Sequence, residues 1–216
     1  MPSIVGVVGG ASSLKNPAFA RELGYKLNPV VNPSVEGAYT TPWSDRGSLS
    51  GAVTTRTTEE SYAGTYSWKT VMGTDTECGP LYGRDNHRIP ILGSTQYTIS
   101  CYAKLHSAAT TQNFRFRIFY YTAQVAGSIS ATAGTSSSLS VADGWKRFSS
   151  TFTSPSNALF CAFSFTTAAA IDDEIFYSDH YFFDRSSSLR DYFDGNSVGC
   201  FWTGTPEESF SATTPY

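Results

Sequence analysis

The chain has 216 residues, 40% hydrophobic and 15% aromatic, which is enough for one large packed domain and excludes a globally disordered polypeptide. Fifteen Lys and Arg against eighteen Asp and Glu leave a net charge of −3 with no basic run. Nucleic acid and anionic membrane surfaces therefore find no electrostatic footprint. No stretch has the apolar length of a membrane-spanning helix. The short apolar run Ile4–Val8 lacks the basic leading residues of a secretory signal, so synthesis in a cytoplasm is expected.

In chain order, residues 1–31 read as an arm. Within it Asn16 to Gly24 predicts one short helix, with Asn16 as cap, Pro17 at the first helical position and Gly24 at the left-handed exit. Two turns of helix are marginal alone, so this piece must dock on its own domain or on a neighbour.

From Asn32 the chain turns to short β-prone runs separated by turn residues. Asn32-Pro33-Ser34-Val35-Glu36-Gly37 followed by Trp43 resembles the opening strand of carbohydrate-binding-module jelly rolls, which implies a strand at 32–37 with Trp43 in the loop after it; Ser48–Arg56 alternates weakly and reads as an edge strand. After Gly64, Tyr66 and Trp68 share one strand face while Ser67 and Lys69 share the other. Met72–Arg88 reads as a loop, with Gly73, Gly79, Pro80 and Gly83. Gln96–Lys104 alternates most clearly, setting Tyr97, Ile99, Cys101 and Ala103 against Thr98, Ser100, Tyr102 and Lys104. In Asn113–Thr122, Phe114, Phe116, Ile118 and Tyr120 oppose Arg115, Arg117, Phe119 and Tyr121. Residues 127–140 are low in complexity and read as a mobile loop.

Asp143–Phe148 opens the next strand, Ala158–Thr166 places Leu159, Cys161, Phe163 and Phe165 together, and Ile175–Phe183 is the last long strand. About eight to ten short strands predict an all-β, antiparallel sandwich over residues 32–186. Residues 187–216 then form an irregular strap broken by Gly195, Gly199, Gly204 and Pro206. Tyr192, Phe193, Phe201 and Trp202 are too apolar for a solvated tail and are expected to fasten the strap to the sandwich or to a neighbouring subunit, which favours a homo-oligomer.

Motifs for covalent chemistry are missing. There is no G-x-S-x-G, no H-E-x-x-H and no phosphate-cradling glycine loop. His180 follows Asp179 on a strand, where alternation sends the two side chains to opposite faces. Asp172-Asp173-Glu174 and Glu59-Glu60 read as solvated loop acids rather than as facing glycosidase carboxylates. Cys78, Cys101, Cys161 and Cys200 are widely spaced, without a C-x-x-C pair, so reduced thiols are the default; Cys78 and Cys200 lie in loops and remain able to pair. The reading is of a non-enzyme without cofactor. A sugar site needs aromatics laid flat to solvent beside polar groups. Arg117 and Tyr121 on their strand face, Tyr102 from a neighbouring strand and Trp43 as a loop platform are the candidates. The competing readings are burial in the core and contact with another subunit.

Asp191-Tyr192-Phe193-Asp194-Gly195, followed by Trp202-Thr203-Gly204-Thr205-Pro206, resembles the carboxy-terminal signature of bacteriophage minor tail proteins. Asn32-Pro33-Ser34-Val35-Glu36, the Gly64 turn and Gly144-Trp145-Lys146-Arg147 are similar, in order, to landmarks of carbohydrate-binding-module jelly rolls. The ending departs from the tail-protein pattern, with Glu207-Glu208-Ser209-Phe210-Ser211 where the family continues His-Ala-Ser-Thr-Ser. The resemblance implies a jelly roll acting as a virion structural protein, in the tail rather than the capsid, made in the host cytoplasm. Its partners would be other virion proteins and host-surface glycan. The alternatives are a non-catalytic carbohydrate-binding module and a capsid decoration protein. Related modules hold a structural calcium where Glu36 and Asp179 stand; the favoured reading is instead that Asp179 caps a turn or meets an Arg.

Overall fold

The structure, a computed structural model, describes residues 26–213 except 39, 47–50, 84–86, 107–110 and 170. The helix expected at 16–24 lies outside the described residues. The strands, in chain order, are β1 (Leu27–Asn28), β2 (Trp43–Arg46), β3 (Val53–Thr57), β4 (Ser67–Val71), β5 (Gly79–Tyr82), β6 (Ile89–Pro90), β7 (Gln96–Leu105) and β8 (Gln112–Tyr121). They continue as β9 (Ser128–Ala133), β10 (Ser137–Leu139), β11 (Lys146–Thr153), β12 (Phe160–Thr167), β13 (Ile175–Asp184), β14 (Cys200–Trp202) and β15 (Ser211–Thr213).

The strands form an antiparallel jelly-roll sandwich. One sheet runs β10-β8-β12-β5-β2, with β6 added to β12 and β9 to β8; the other runs β11-β7-β13-β4-β3. A small third sheet, β1-β15-β14, ties the strap to the chain entering the domain.

Period-two burial builds the core as the alternation predicts. Tyr97, Ile99, Cys101, Ala103 and Leu105 of β7 are all buried. So are Phe114, Phe116, Ile118 and Tyr120 of β8, and Cys161, Phe163 and Phe165 of β12. Phe163 is central, with the rings of Trp43, Tyr82, Phe116, Tyr181 and Phe183 at centroid distances of 5.2–6.5 Å. Edge-to-face and offset pairs of this kind add about 0.5–1.5 kcal/mol each beyond burial of area.

Several segments differ from expectation. Asn32–Gly37 is not a strand, because Asn32 (φ 51°) and Val35 (φ 63°) are left-handed. The Asn32 side chain closes that turn by accepting from the Gly37 N–H and donating to its carbonyl. Trp43 starts a strand rather than lying in a loop. The glycine-rich stretch after Met72 holds β5, where a Cβ on Gly79 would come 2.1 Å from the Phe165 carbonyl oxygen. Gly79 thus marks a close strand approach instead of a turn. Residues 127–140 contain β9 and β10, which pair with β8. Backbone hydrogen bonds to an open strand edge do not require apolar side chains, and of this stretch only Ile129 and Leu139 meet the core. Leu159 points to solvent at 54% exposure, one residue before β12 begins.

The strap packs on its own sandwich. Tyr192 lies 4.3 Å from His180 and Phe193 lies 5.1 Å from Phe182, between ring centroids. Phe201 packs on Leu27 and Ala212, and Phe210 reaches the main core. Trp202 sits over Gly195 and donates through Nε1 to the Asn196 side chain. Buried Asn28 is the clasp: its Nδ2 donates to the Tyr181 and Phe193 carbonyls, and its Oδ1 accepts the Phe183 N–H. All four cysteines are free thiols, so Cys78 and Cys200 do not pair.

Candidate functional site

The outward face of the seven-stranded sheet is where the chemistry concentrates. The residues of β8 that alternate away from the core are Arg115, Arg117, Phe119 and Tyr121, all partly exposed. Across the ladder, Arg117 faces Ser164, Ser164 faces Leu81 and Leu81 faces Ser44; Phe119 faces Ala162, and Tyr121 faces Phe160. The middle strand β12 thus turns Ala162, Ser164 and Thr166 outward, three small side chains between larger ones on β8, β5 and β2. Ala162, Ser164 and Thr166 are themselves buried under the flanking side chains, so the result is a shallow trough.

At one end of the trough, Glu77 accepts from three arginines: Arg46 at 2.7 Å, Arg115 at 3.0 Å and Arg117. The carboxylate is only 6% exposed. Its loop is fixed from below, since the Cys78 N–H donates to Thr167 Oγ1, which in turn donates to the Thr76 carbonyl. Burial opposes ionisation of Glu77, but hydrogen bonds from Arg46 and Arg117 outweigh it and hold the carboxyl below its usual range. Arg46 and Arg117 also approach the Phe119 ring, at 5.5 and 5.9 Å.

The other end is aromatic. Phe119, Tyr121 and Phe160 keep partial exposure there. Arg88 lies 3.4 Å above the Tyr121 ring and donates to the carbonyls of Ala123, Val125 and Ala126, which holds the turn after β8 against that ring.

The trough also carries polar atoms that are buried and lack a hydrogen-bond partner: Ser44 Oγ, Ser164 Oγ, Arg115 Nε and Arg117 Nε. Buried polar groups are ordinarily satisfied, so these four atoms, closed to solvent, form a tightly packed polar layer beneath the partly exposed guanidinium groups.

Of the residues expected at a sugar site, Arg117 and Tyr121 share this face. Trp43 does not; it is 8% exposed and packs on Trp68, Tyr82, Phe163 and Tyr181, because β2 turns it inward. Tyr102 lies on the opposite sheet, stacked under Tyr62 at 3.6 Å. Glu77, Arg46, Phe160 and Ser164 escape a sequence reading. Glu77 and Arg46 sit in local contexts without a pattern, whereas Phe160 follows from alternation once β12 is counted from Cys161 inward.

His180 and Asp179 also depart from expectation. A register shift between Asp179 and Phe182, with His180 left-handed at φ 52°, defeats alternation at this point. His180 Nδ1 comes within 3.0 Å of Asp179 Oδ1, an ion-pair distance, although off the hydrogen-bond axis. Burial raises the Asp179 carboxyl, offset in part by His180. Asp179 Oδ2 accepts the Tyr62 N–H, and Glu36 Oε1 accepts the Thr65 and Tyr66 N–H groups, so both carboxylates grip the same loop. Among the described residues no group of three or more His, Cys, Asp or Glu is placed to hold a metal ion.

Comparison with known proteins agrees with this architecture. The family model CBM_4_9, carbohydrate binding domain, matches residues 27–170, more than half of the chain. The chain belongs to the carbohydrate binding domain family. Solved structures of similar fold include the C-terminal family 22 carbohydrate binding module of Clostridium thermocellum Xyn10B, with TM-score 0.58 and 18% identity over 77% of this chain and 98% of that one. The CBM22-1 xylan-binding domain of Paenibacillus barcinonensis Xyn10C has TM-score 0.57 and 15% identity, over 74% of this chain and 98% of that one. At these identities the likeness shows the fold of this carbohydrate binding domain. No curated protein matches it in sequence.

Proposed function

We propose that this chain is a non-catalytic carbohydrate-binding module whose glycan lies along the outward face of the seven-stranded sheet. The carrying observation is the trough, where partly exposed arginine donors at one end meet partly exposed aromatic rings at the other. Sugars present apolar ring faces and polar edges, and such a surface offers a partner to both. The structural neighbour from Paenibacillus barcinonensis is a xylan-binding domain, which puts plant polysaccharides among the first ligands to try. Affinity electrophoresis through polysaccharide gels tests the reading. Wild-type protein is expected to be retarded, and Arg117→Ala and Tyr121→Ala are each expected to weaken retardation at least about tenfold, or roughly 1.4 kcal/mol. Mobility of wild type and variants that stays equal in every gel would refute the assignment.

A second reading, that the module is carried in a phage tail and contacts other virion proteins, is supported by the strap motif at 191–195 and 202–206. Its side chains are engaged within the chain: Tyr192 donates to Asp194, and Asp194 accepts from Asn196 N–H and Ser197. Mass spectrometry of purified particles is the test, and absence of the chain from intact virions would end this reading.

A further inference from the structure

We infer that the ligand of the trough is an acidic glycan, one whose repeating sugar carries a carboxylate. The inference rests on the carbohydrate-binding reading above and narrows its substrate class.

The argument is one of charge and donor supply. Arg46, Arg115 and Arg117 converge on a single carboxylate, so three positive charges against one leave a local charge of +2. The chain as a whole carries −3, so the positive field is concentrated at this place against the sign of the molecule. A neutral ligand would leave that field unanswered, with the guanidinium groups partly removed from water.

Donors exceed acceptors as well. Each guanidinium is donor-only, and Glu77 supplies just two oxygens: Oε1 is shared by Arg115 and Arg117, and Oε2 is taken by Arg46. Nε of Arg115 and of Arg117 is closed to solvent, so a ligand meets only the partly exposed remainder of each guanidinium group, the arginine side chains being 28–36% exposed. Glu77 is too deeply placed to be displaced; it fixes the three guanidinium groups from beneath, leaving their outer N–H edges for a second anion. A planar carboxylate matches that fork, with two parallel bonds per arginine.

The aromatic end supplies the remainder of the recognition. Phe119 lies beside the arginines on β8, and Tyr121 with Phe160 follows one pleat further along. A chain laid along β8 would thus set a sugar face on the rings and an adjoining acid on the guanidinium groups. Recognition of this kind weakens with salt, because the pairs are only partly buried.

The test compares matched polymers by isothermal titration with the intact chain: polygalacturonate, its fully methyl-esterified form and neutral xylan. Polygalacturonate is expected to bind at least about tenfold more tightly than its ester, with the difference shrinking at high salt. Equal or tighter binding of the ester or of xylan would overturn the acidic-glycan inference while leaving carbohydrate binding intact. Failure of all three, extended to a panel of acidic and neutral polysaccharides, would instead overturn carbohydrate binding itself. Arg115→Gln is expected to lower the preference for the acid form without abolishing binding to the ring-contacting end. An unchanged acid-to-ester ratio in that variant would also refute the assignment. The wild-type comparison decides the question even where a variant folds poorly.

Discussion

Truncating the chain after Ser188 is expected to lower the melting temperature by about 10 °C or more and to leave much of the protein insoluble, as read by thermal melting and soluble yield. The deletion removes β14 and β15, so β1 loses its sheet partner. Asn28, wholly buried, loses the Phe193 carbonyl to which its amide donates. Ser34 loses Glu207, whose carboxyl burial raises even as the Ser34 and Asn196 hydrogen bonds pull it down. Phe182, now 1% exposed, loses Phe193 and Tyr192 from above, and the core loses Phe210. Three aromatic side chains at about 1.5 kcal/mol each, with one N–H of the Asn28 amide left unpaired at about 1–3 kcal/mol, approach the whole net stability of a typical domain. A truncated chain that melts within about 2 °C of the full one would show that the strap contributes nothing to stability.

Replacing Glu77 by Gln is expected to abolish glycan retention and to cost about 2 kcal/mol of stability. That is less than the roughly 3–5 kcal/mol of a fully buried pair, because the arginine side chains are 28–36% exposed. Gln keeps the shape but provides one acceptor for three guanidinium groups that then repel one another across the trough. The linkage to pH follows from the direction of the shift. The Glu77 carboxyl is held below its ordinary value of 4.5 when folded. Its contribution is complete above that value and is lost as pH falls through the lower, folded one. Asp179 and Glu207 act in the opposite sense, since burial raises both carboxyls and protonation on acidification relieves the cost. The comparison of wild type with the Gln variant isolates the effect. In urea titrations the stability gap between them is expected to be full at neutral pH and to narrow as pH falls below 4.5 toward the lower, folded value. A gap that stays constant with pH would mean that the charge of Glu77 has no part in holding the arginines.

Much of this was legible in the letters of the chain. Period-two alternation in β7 and β8 identified the inward faces, because a pleated strand has only two sides and one must leave water. Arg117 and Tyr121 fall on the outward face of β8 for the same reason. The aromatic strap was readable because so many rings forbid solvation, whereas its two short strands, β14 and β15, were hidden among glycines and a proline that read as irregular chain.

What could not be read is what depends on residues distant in sequence. Trp43 carries no local sign that β2 will turn it into the core, since two strand registers fit the same letters. Glu77 becomes an anchor only when β2 and β8 bring Arg46, Arg115 and Arg117 around it. The Asp179–His180 contact exists because a bulge in β13 breaks the alternation that had separated the pair. The sequence alone therefore determined which segments alternate and which faces are apolar, a matter of local chain geometry and hydration. Only the tertiary structure decided the trough, because convergence of three arginines on one carboxylate is a property of strand order and register, which no local stretch of chain encodes.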